Sequence, residues 1–174
     1  MKIEKGRTQD VDELERLYDD LNDYLAANIN YPGWKKGIYP VRQTAENGIT
    51  EGNLYVARTG GRIAGSLILT HKPEVAYAKA KWNTEDDYDM IFVIKTFIVH
   101  PEYFGKSVAK SMLDFACDLA AEQGIVSIRL DAYESNMPAI RLYEKNGFNY
   151  VDTVDLGIGE TYGLKWFRLY EKVI

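Results

Sequence analysis

Cysteine is almost missing from this 174-residue sequence: Cys117 stands alone, so no internal disulfide can form. There is no CxxC pair and there are only two histidines, which leaves nothing from which to build a structural zinc site. The expectation is a protein of a reducing compartment, the cytoplasm, with no bound metal. Long apolar runs are lacking too. The opening segment, MKIEKGRTQDVDELERL, has no apolar stretch like that of a signal peptide, and no uncharged run reaches the roughly 18 residues that a membrane span needs. Cationic excess is the third absence. Lys and Arg number 21 against 26 Asp and Glu, a net charge of −5, which argues against nonspecific nucleic-acid binding through counterion release. Membrane and nucleic acid therefore drop out as partners.

What is present is a balanced globular composition, 46% apolar and 27% charged, which excludes disordered, collagenous and disulfide-rich classes. The length suits one domain, residues 1–174. A short strand is expected over Lys2 to Lys5. Thr8 or Asp10 then caps a helix whose Val11, Leu14, Leu17, Tyr18, Leu21, Tyr24 and Leu25 recur at three- and four-residue intervals. Asn28 to Pro40 reads as a structured loop rich in Gly, Pro and aromatics, with Pro40 opening a second short helix that ends near Gly48. Asn53 to Arg58 and Arg62 to Thr70 flank Thr59-Gly60-Gly61, a hairpin signal.

The run Met90 to Val99 is β-branched and aromatic and is the best candidate for a central strand. His100-Pro101 stops it, Gly105 follows, and Val108, Met112, Phe115, Ala116, Leu119 and Ala120 supply a helical stripe that ends before Gly124. Ile125 to Leu130 is a further strand, and Asn136 and Pro138 open a helix that closes at Gly147. Tyr150 to Leu156 and Leu164 to Val173 finish the chain as antiparallel strands. Their exposed edge could support a homodimer.

A strand that feeds a glycine-bearing loop and then a helix aims backbone N–H groups and the positive end of the helix dipole at one spot. An anion fits there. The segment VHPEYFGKSVAKSML resembles the acetyl-CoA signature of the GNAT superfamily, with Val99, Pro101, Gly105 and Ala109 at the positions of its V-x-P-x-x-R/Q-G-x-G-x-G/A consensus. Phe104 stands where that family prefers Arg or Gln, and Ser107 where it prefers Gly. Downstream, Asn136 to Phe148 resembles the family's N-x-x-A-x-x-L-Y-x-x-x-G-F helix at every fixed position. Asn136, Ala139 and Tyr143 would share one helix face.

The resemblance implies an α/β (α+β) fold with a mixed central sheet of about six to seven strands, splayed between two parallel strands and flanked by about four helices. It implies an N-acetyltransferase that moves an acetyl group from acetyl-CoA to a primary amine of a small molecule or amino acid. Phe104, Gly105, Lys106, Ser107, Val108, Ala109 and Lys110 would hold the pyrophosphate, while the backbone of Phe97, Ile98 and Val99, with Asn136, Ala139 and Tyr143, would hold the rest of the cofactor. Tyr143 would give a proton to the leaving sulfur. Tyr31, Trp34, Tyr39 and Trp82 would line the acceptor pocket, since aromatics suit an apolar or cationic acceptor. Glu74, Asp89, Lys95, Asp131 and Glu134 are all available as a base, and none is assigned. His71 and His100 are left out of the site. Other readings are a non-catalytic acyl-CoA sensor, an interaction domain without the ligand, and a protein N-terminal or ribosomal-protein acetyltransferase.

Overall fold

A computed structural model describes all 174 residues. The chain forms seven strands: β1 (Lys2–Lys5), β2 (Leu54–Thr59), β3 (Arg62–Thr70), β4 (Ile91–Val99), β5 (Ser127–Tyr133), β6 (Asn149–Asp155) and β7 (Trp166–Val173). The helices are α1 (Val11–Ala27), α2 (Arg42–Thr50), α3 (Val108–Glu122), α4 (Met137–Lys145) and the one-turn α5 (Gly159–Tyr162). All strands join one mixed sheet in the order β1-β2-β3-β4-β5-β7-β6. No helix is long and apolar enough to cross a membrane.

Two compact units arise within the chain: Met1–Asn30, Trp34–Leu69 and Lys95–Phe115 form the first, and Tyr31–Gly33, Thr70–Ile94 and Ala116–Ile174 the second. In the first, the apolar stripe of α1 buries Leu14, Leu17, Tyr18, Leu21 and Leu25 against Leu54, Val56, Ile63 and Ile98, with Trp34 packed at its margin. The β2–β3 hairpin closes through Gly60 and Gly61 at φ +58° and +82°, the left-handed pair that a two-residue turn demands. In the second unit Tyr77, Val93, Val154 and Leu169 make a smaller core, over which Trp82 and Tyr88 pack.

Several boundaries differ from the expectation. Asp10, one of the two expected residues, stands at the N-cap of α1, but its side chain makes no capping bond. Thr8 and Asp10 both belong to a short 3₁₀ turn, and the Asp10 carboxylate accepts from the Arg7 N–H and from Arg58. The second helix begins at Arg42 and continues past Gly48 to Thr50. Strand β5 starts two positions late, at Ser127, because Ile125 donates to the Ala120 carbonyl and closes α3 around left-handed Gly124. The free edge next to the C-terminal strands belongs to β6, since β7 lies between β5 and β6.

Strands β4 and β5 run parallel. Their register pairs Ile91 with Ser127, Phe92 with Ile128 and Val93 with Arg129, and it ends there, well before β4 and β5 themselves end.

Candidate functional site

In the first unit β4 ends in a turn built by one histidine. His100 Nδ1 accepts from the Glu102 N–H at 3.2 Å, so the ring proton sits on Nε2, which donates to Asp20 of α1 at 3.1 Å. The His100 N–H is itself fixed to the Ala64 carbonyl at 2.9 Å. This ties the start of the loop to both β3 and α1 and winds Pro101–Tyr103 into a 3₁₀ turn. Phe104 adds a second tie, meeting Tyr24 of α1 edge-on at 5.3 Å. Both rings stay exposed, at 44% and 41%.

The loop then bends twice through left-handed backbone, at Gly105 (φ +73°) and Ser107 (φ +61°). No atom lies within 4 Å of where a side chain would start on Gly105, so the backbone is open on that side. The first helical bond of α3 is Ser111 N–H to the Ser107 carbonyl, 3.0 Å. The N–H groups of Val108, Ala109 and Lys110 therefore precede any intrahelical acceptor and carry the positive end of the helix dipole. Lys106 lies 5.3 Å over the Tyr103 ring, and Lys110 pairs with Asp114 at 2.6 Å. An open backbone, free-standing amides and two nearby lysines fit a diphosphate in chemistry. Deeper in the same unit Gly65 is indispensable: a Cβ there would stand 2.6 Å from the Ile98 carbonyl and 2.9 Å from Met112, so the glycine lets β3 come close to β4 and α3.

Thr96 interrupts β4 with φ +48°, an unusual conformation for a β-branched residue. Its hydroxyl is hydrogen-bonded to that of Tyr39, and the Tyr39 ring meets Trp34 edge-on at 5.5 Å. Two of the four aromatics expected at an acceptor pocket thus gather beside the irregular turn of β4. The other two, Tyr31 and Trp82, belong to the second unit. Trp82 donates to the Tyr77 carbonyl at 2.9 Å and lies 4.3 Å from the Arg129 guanidinium. With Lys81, Thr84, Glu85 and Asp86 it borders an open depression.

The second unit also holds α4. Asn136 caps it, its Oδ1 accepting from the Ala139 N–H at 3.3 Å, and Gly147 ends it at φ +83°. Between these caps Tyr143 is buried, 6% exposed, against Phe148 and Tyr170 with ring centroids 6.0 and 6.3 Å away. Burial above all, and then the Asp131 carboxylate, push its phenol well above the ordinary tyrosine value. The hydroxyl therefore keeps its proton at any physiological pH. Asp131 in turn accepts from the Tyr77 hydroxyl at 2.7 Å.

Sequence reasoning weighed His100 and left it out of the site, and it passed over Asp20 and Thr96. The His-Pro dipeptide signalled only a strand end, and no local pattern betrays a threonine with positive φ.

The model of the acetyltransferase (GNAT) family matches residues 14–148, most of the chain, and the chain belongs to that family. A streptothricin acetyltransferase of Escherichia coli is 38% identical over 55 residues, 32% of this chain and 32% of that protein. The match thus spans about a third of that relative's length. A GNAT-family acetyltransferase from Streptococcus agalactiae has a TM-score of 0.80 at 18% identity, with 99% of this chain and 95% of that one covered. The ribosomal-protein-S18-alanine N-acetyltransferase of Escherichia coli gives 0.71 at 16%, with 99% and 93% covered. At such identities the likeness is one of fold.

Proposed function

We propose that the protein is a single-domain N-acetyltransferase that moves an acetyl group from acetyl-CoA to a primary amine of a small molecule or amino acid. Family membership supports acetyl transfer. The observation that carries the cofactor is the start of α3, where the left-handed turns at Gly105 and Ser107 precede three amides with no helical acceptor. These amides, from Val108 to Lys110, would hold the pyrophosphate, and Lys106 would add charge. The peptide groups of Phe97, Ile98 and Val99 would bond the pantetheine arm, with Asn136 and Ala139 on the α4 side. Phe104 packs on Tyr24 instead of reaching toward phosphate, so the phosphate contacts fall to backbone.

Acetyl-CoA supplies an activated acyl thioester. Tyr143, protonated at working pH, would give the proton to the departing sulfur. Trp34, Tyr39, Tyr31 and Trp82 would be the aromatic candidates for contact with the acceptor. The single cysteine supports a cytoplasmic setting, and the free edge of β6 supports a homodimer.

Thiol release from acetyl-CoA with a panel of amines tests the reading. Turnover with at least one amine is expected, and Tyr143→Phe should lower kcat by about 100-fold. CoA binding without turnover on any amine would instead identify a sensor. Acceptance of peptide N-termini but not free amines would move the acceptor class to proteins.

A further inference from the structure

The protein has two histidines, and the fold gives them opposite tautomers. His71 turns Nδ1 toward two carbonyls, that of Tyr88 at 2.8 Å and that of Ile91 at 2.9 Å, so Nδ1 carries its proton. His100 does the reverse. Its Nδ1 accepts from the Glu102 N–H, and its Nε2 donates to Asp20. Acid acts differently on the two rings, because an imidazolium has a proton on both nitrogens. Protonation leaves the His71 bonds standing and takes from His100 the lone pair that holds Glu102.

That lone pair holds more than one peptide. Pro101 has no N–H, so Glu102 carries the first amide of the 3₁₀ turn, and His100 is the N-cap that receives it. A run of backbone bonds continues from there: Tyr103 N–H to the His100 carbonyl at 2.9 Å, Phe104 N–H to that of Pro101 at 3.1 Å, and Lys106 N–H to that of Tyr103 at 3.2 Å. The run leads through left-handed Gly105 and Ser107 into the amides of Val108, Ala109 and Lys110. His100 is 8% exposed. Two further ties of the loop lie in water, namely Phe104 against Tyr24 and Glu102 with Arg62 at 3.2 Å, their side chains 60% and 62% exposed. An exposed ion pair holds a loop only weakly.

We infer that His100 is a positioning residue for the diphosphate of CoA, that it works as the neutral Nε2–H tautomer, and that its protonation loosens the loop. The inference rests on the proposed cofactor reading. The charged groups around the ring are Asp20 on α1, with Asp19, Asp23 and Lys36 paired beside it, and Arg62 of β3 paired with Glu102. Tyr103 meets the ring edge-on at 6.0 Å and lies under Lys106. Asp20 is the carboxylate bonded to the ring, and Nε2–H can meet it in either protonation state. A protonated His100 thus stays where it is and turns Nδ1–H against the Glu102 N–H, donor against donor.

The test is calorimetry of the full chain with CoA between about pH 8 and about pH 5.5, an interval in which imidazole changes charge. The monoester phosphate of CoA takes up a proton there too, so the readout is the wild type against His100→Asn. Asparagine is a good N-cap and does not titrate. At the upper pH His100→Asn should bind CoA within about 2-fold of the wild type, and His100→Ala about 5-fold more weakly. On acidification the wild type should lose about 5-fold more affinity than His100→Asn does. With its histidine nitrogens isotopically labelled, the wild type at the upper pH should show by NMR one Nδ1–H and one Nε2–H imidazole, the second missing from His100→Asn. Equal pH dependence of the wild type and His100→Asn, or an Nδ1–H tautomer at His100, overturns the assignment and leaves the cofactor reading standing. A wild type that binds no CoA at the upper pH overturns both.

Discussion

Two buried polar clusters, one in each unit, are built on opposite principles. In the second unit Glu171, wholly buried, accepts from Ser127, Arg129, Thr84 and the Asn83 N–H at 2.9, 3.0, 2.6 and 2.6 Å. Arg129 in turn donates to Tyr88 and to the Thr84 carbonyl and is flanked by the Trp82 and Tyr88 rings. Both charges are answered. In the first unit the cluster is neutral and incomplete: Tyr18 Oη, Asn22 Oδ1 and Ser66 Oγ are buried with no hydrogen-bond partner in the protein. The first cluster pins residues 83–88 onto the sheet, as an ion pair can do only when every lone pair is met. The second costs stability where it stands. It lies on α1 and β3, in the unit that also holds Tyr39 and Thr96.

The contrast can be broken most forcefully at Arg129. Arg129→Met leaves the Glu171 carboxylate buried without its cation and should destabilise the protein by about 3–5 kcal/mol, read from urea unfolding. Arg129→Met combined with Glu171→Leu removes both charges and should restore much of the loss. If the single and double variants unfolded alike, the pair would not be acting as a unit.

Acid sharpens the same point. Burial alone would raise the Glu171 pKa, but the donors Thr84, Arg129, Ser127 and Asn83 outweigh it and hold the carboxyl below the ordinary glutamate value. With the folded pKa depressed, the stabilisation is complete above the unfolded value and is lost as pH falls through the folded one. Unfolding free energy of the wild type should therefore drop on acidification below the ordinary glutamate range. In the double variant that part of the drop should be missing.

The neutral cluster predicts the opposite sign. Burial lifts the Tyr18 phenol to about 12, with Ser66 offsetting part of the rise, yet the two hydroxyls do not reach hydrogen-bond geometry. Removing an unanswered hydroxyl from an apolar site recovers its desolvation cost, so Tyr18→Phe should raise stability by about 1 kcal/mol. A fall of the same size would mean that the hydroxyl has a partner in solution.

Neither cluster was legible in the sequence, and the reason is physical. Periodicity located α1, α3, the hairpin of β2 and β3 and the central β4, because each is dictated by which neighbouring residues are apolar. The N-x-x-A-x-x-L-Y pattern placed α4 between Asn136 and Gly147, whose roles as caps are local too. Pairings such as Arg129 with Glu171, Tyr77 with Asp131 and His100 with Asp20 join residues 42, 54 and 80 positions apart, and nothing in the local pattern encodes them. The start of β5 was misread for a related reason. Ile125 looks like the first residue of a strand, but its N–H belongs to the end of α3.

The smallest effect is expected in the loop between β4 and α3. Ser107 holds φ +61°, where an L side chain crowds the following carbonyl at a cost of about 1 kcal/mol. Glycine would relieve that strain but gives back roughly half to all of it through the greater freedom of the unfolded chain. Ser107→Gly should thus raise the unfolding free energy by no more than about 0.5 kcal/mol and, on the proposed reading in which the amides of residues 108–110 would make the phosphate contacts, leave CoA affinity unchanged. A several-fold loss of CoA affinity in this variant, at unchanged stability, would instead assign the hydroxyl a direct contact and make Ser107 a specific adaptation of this chain.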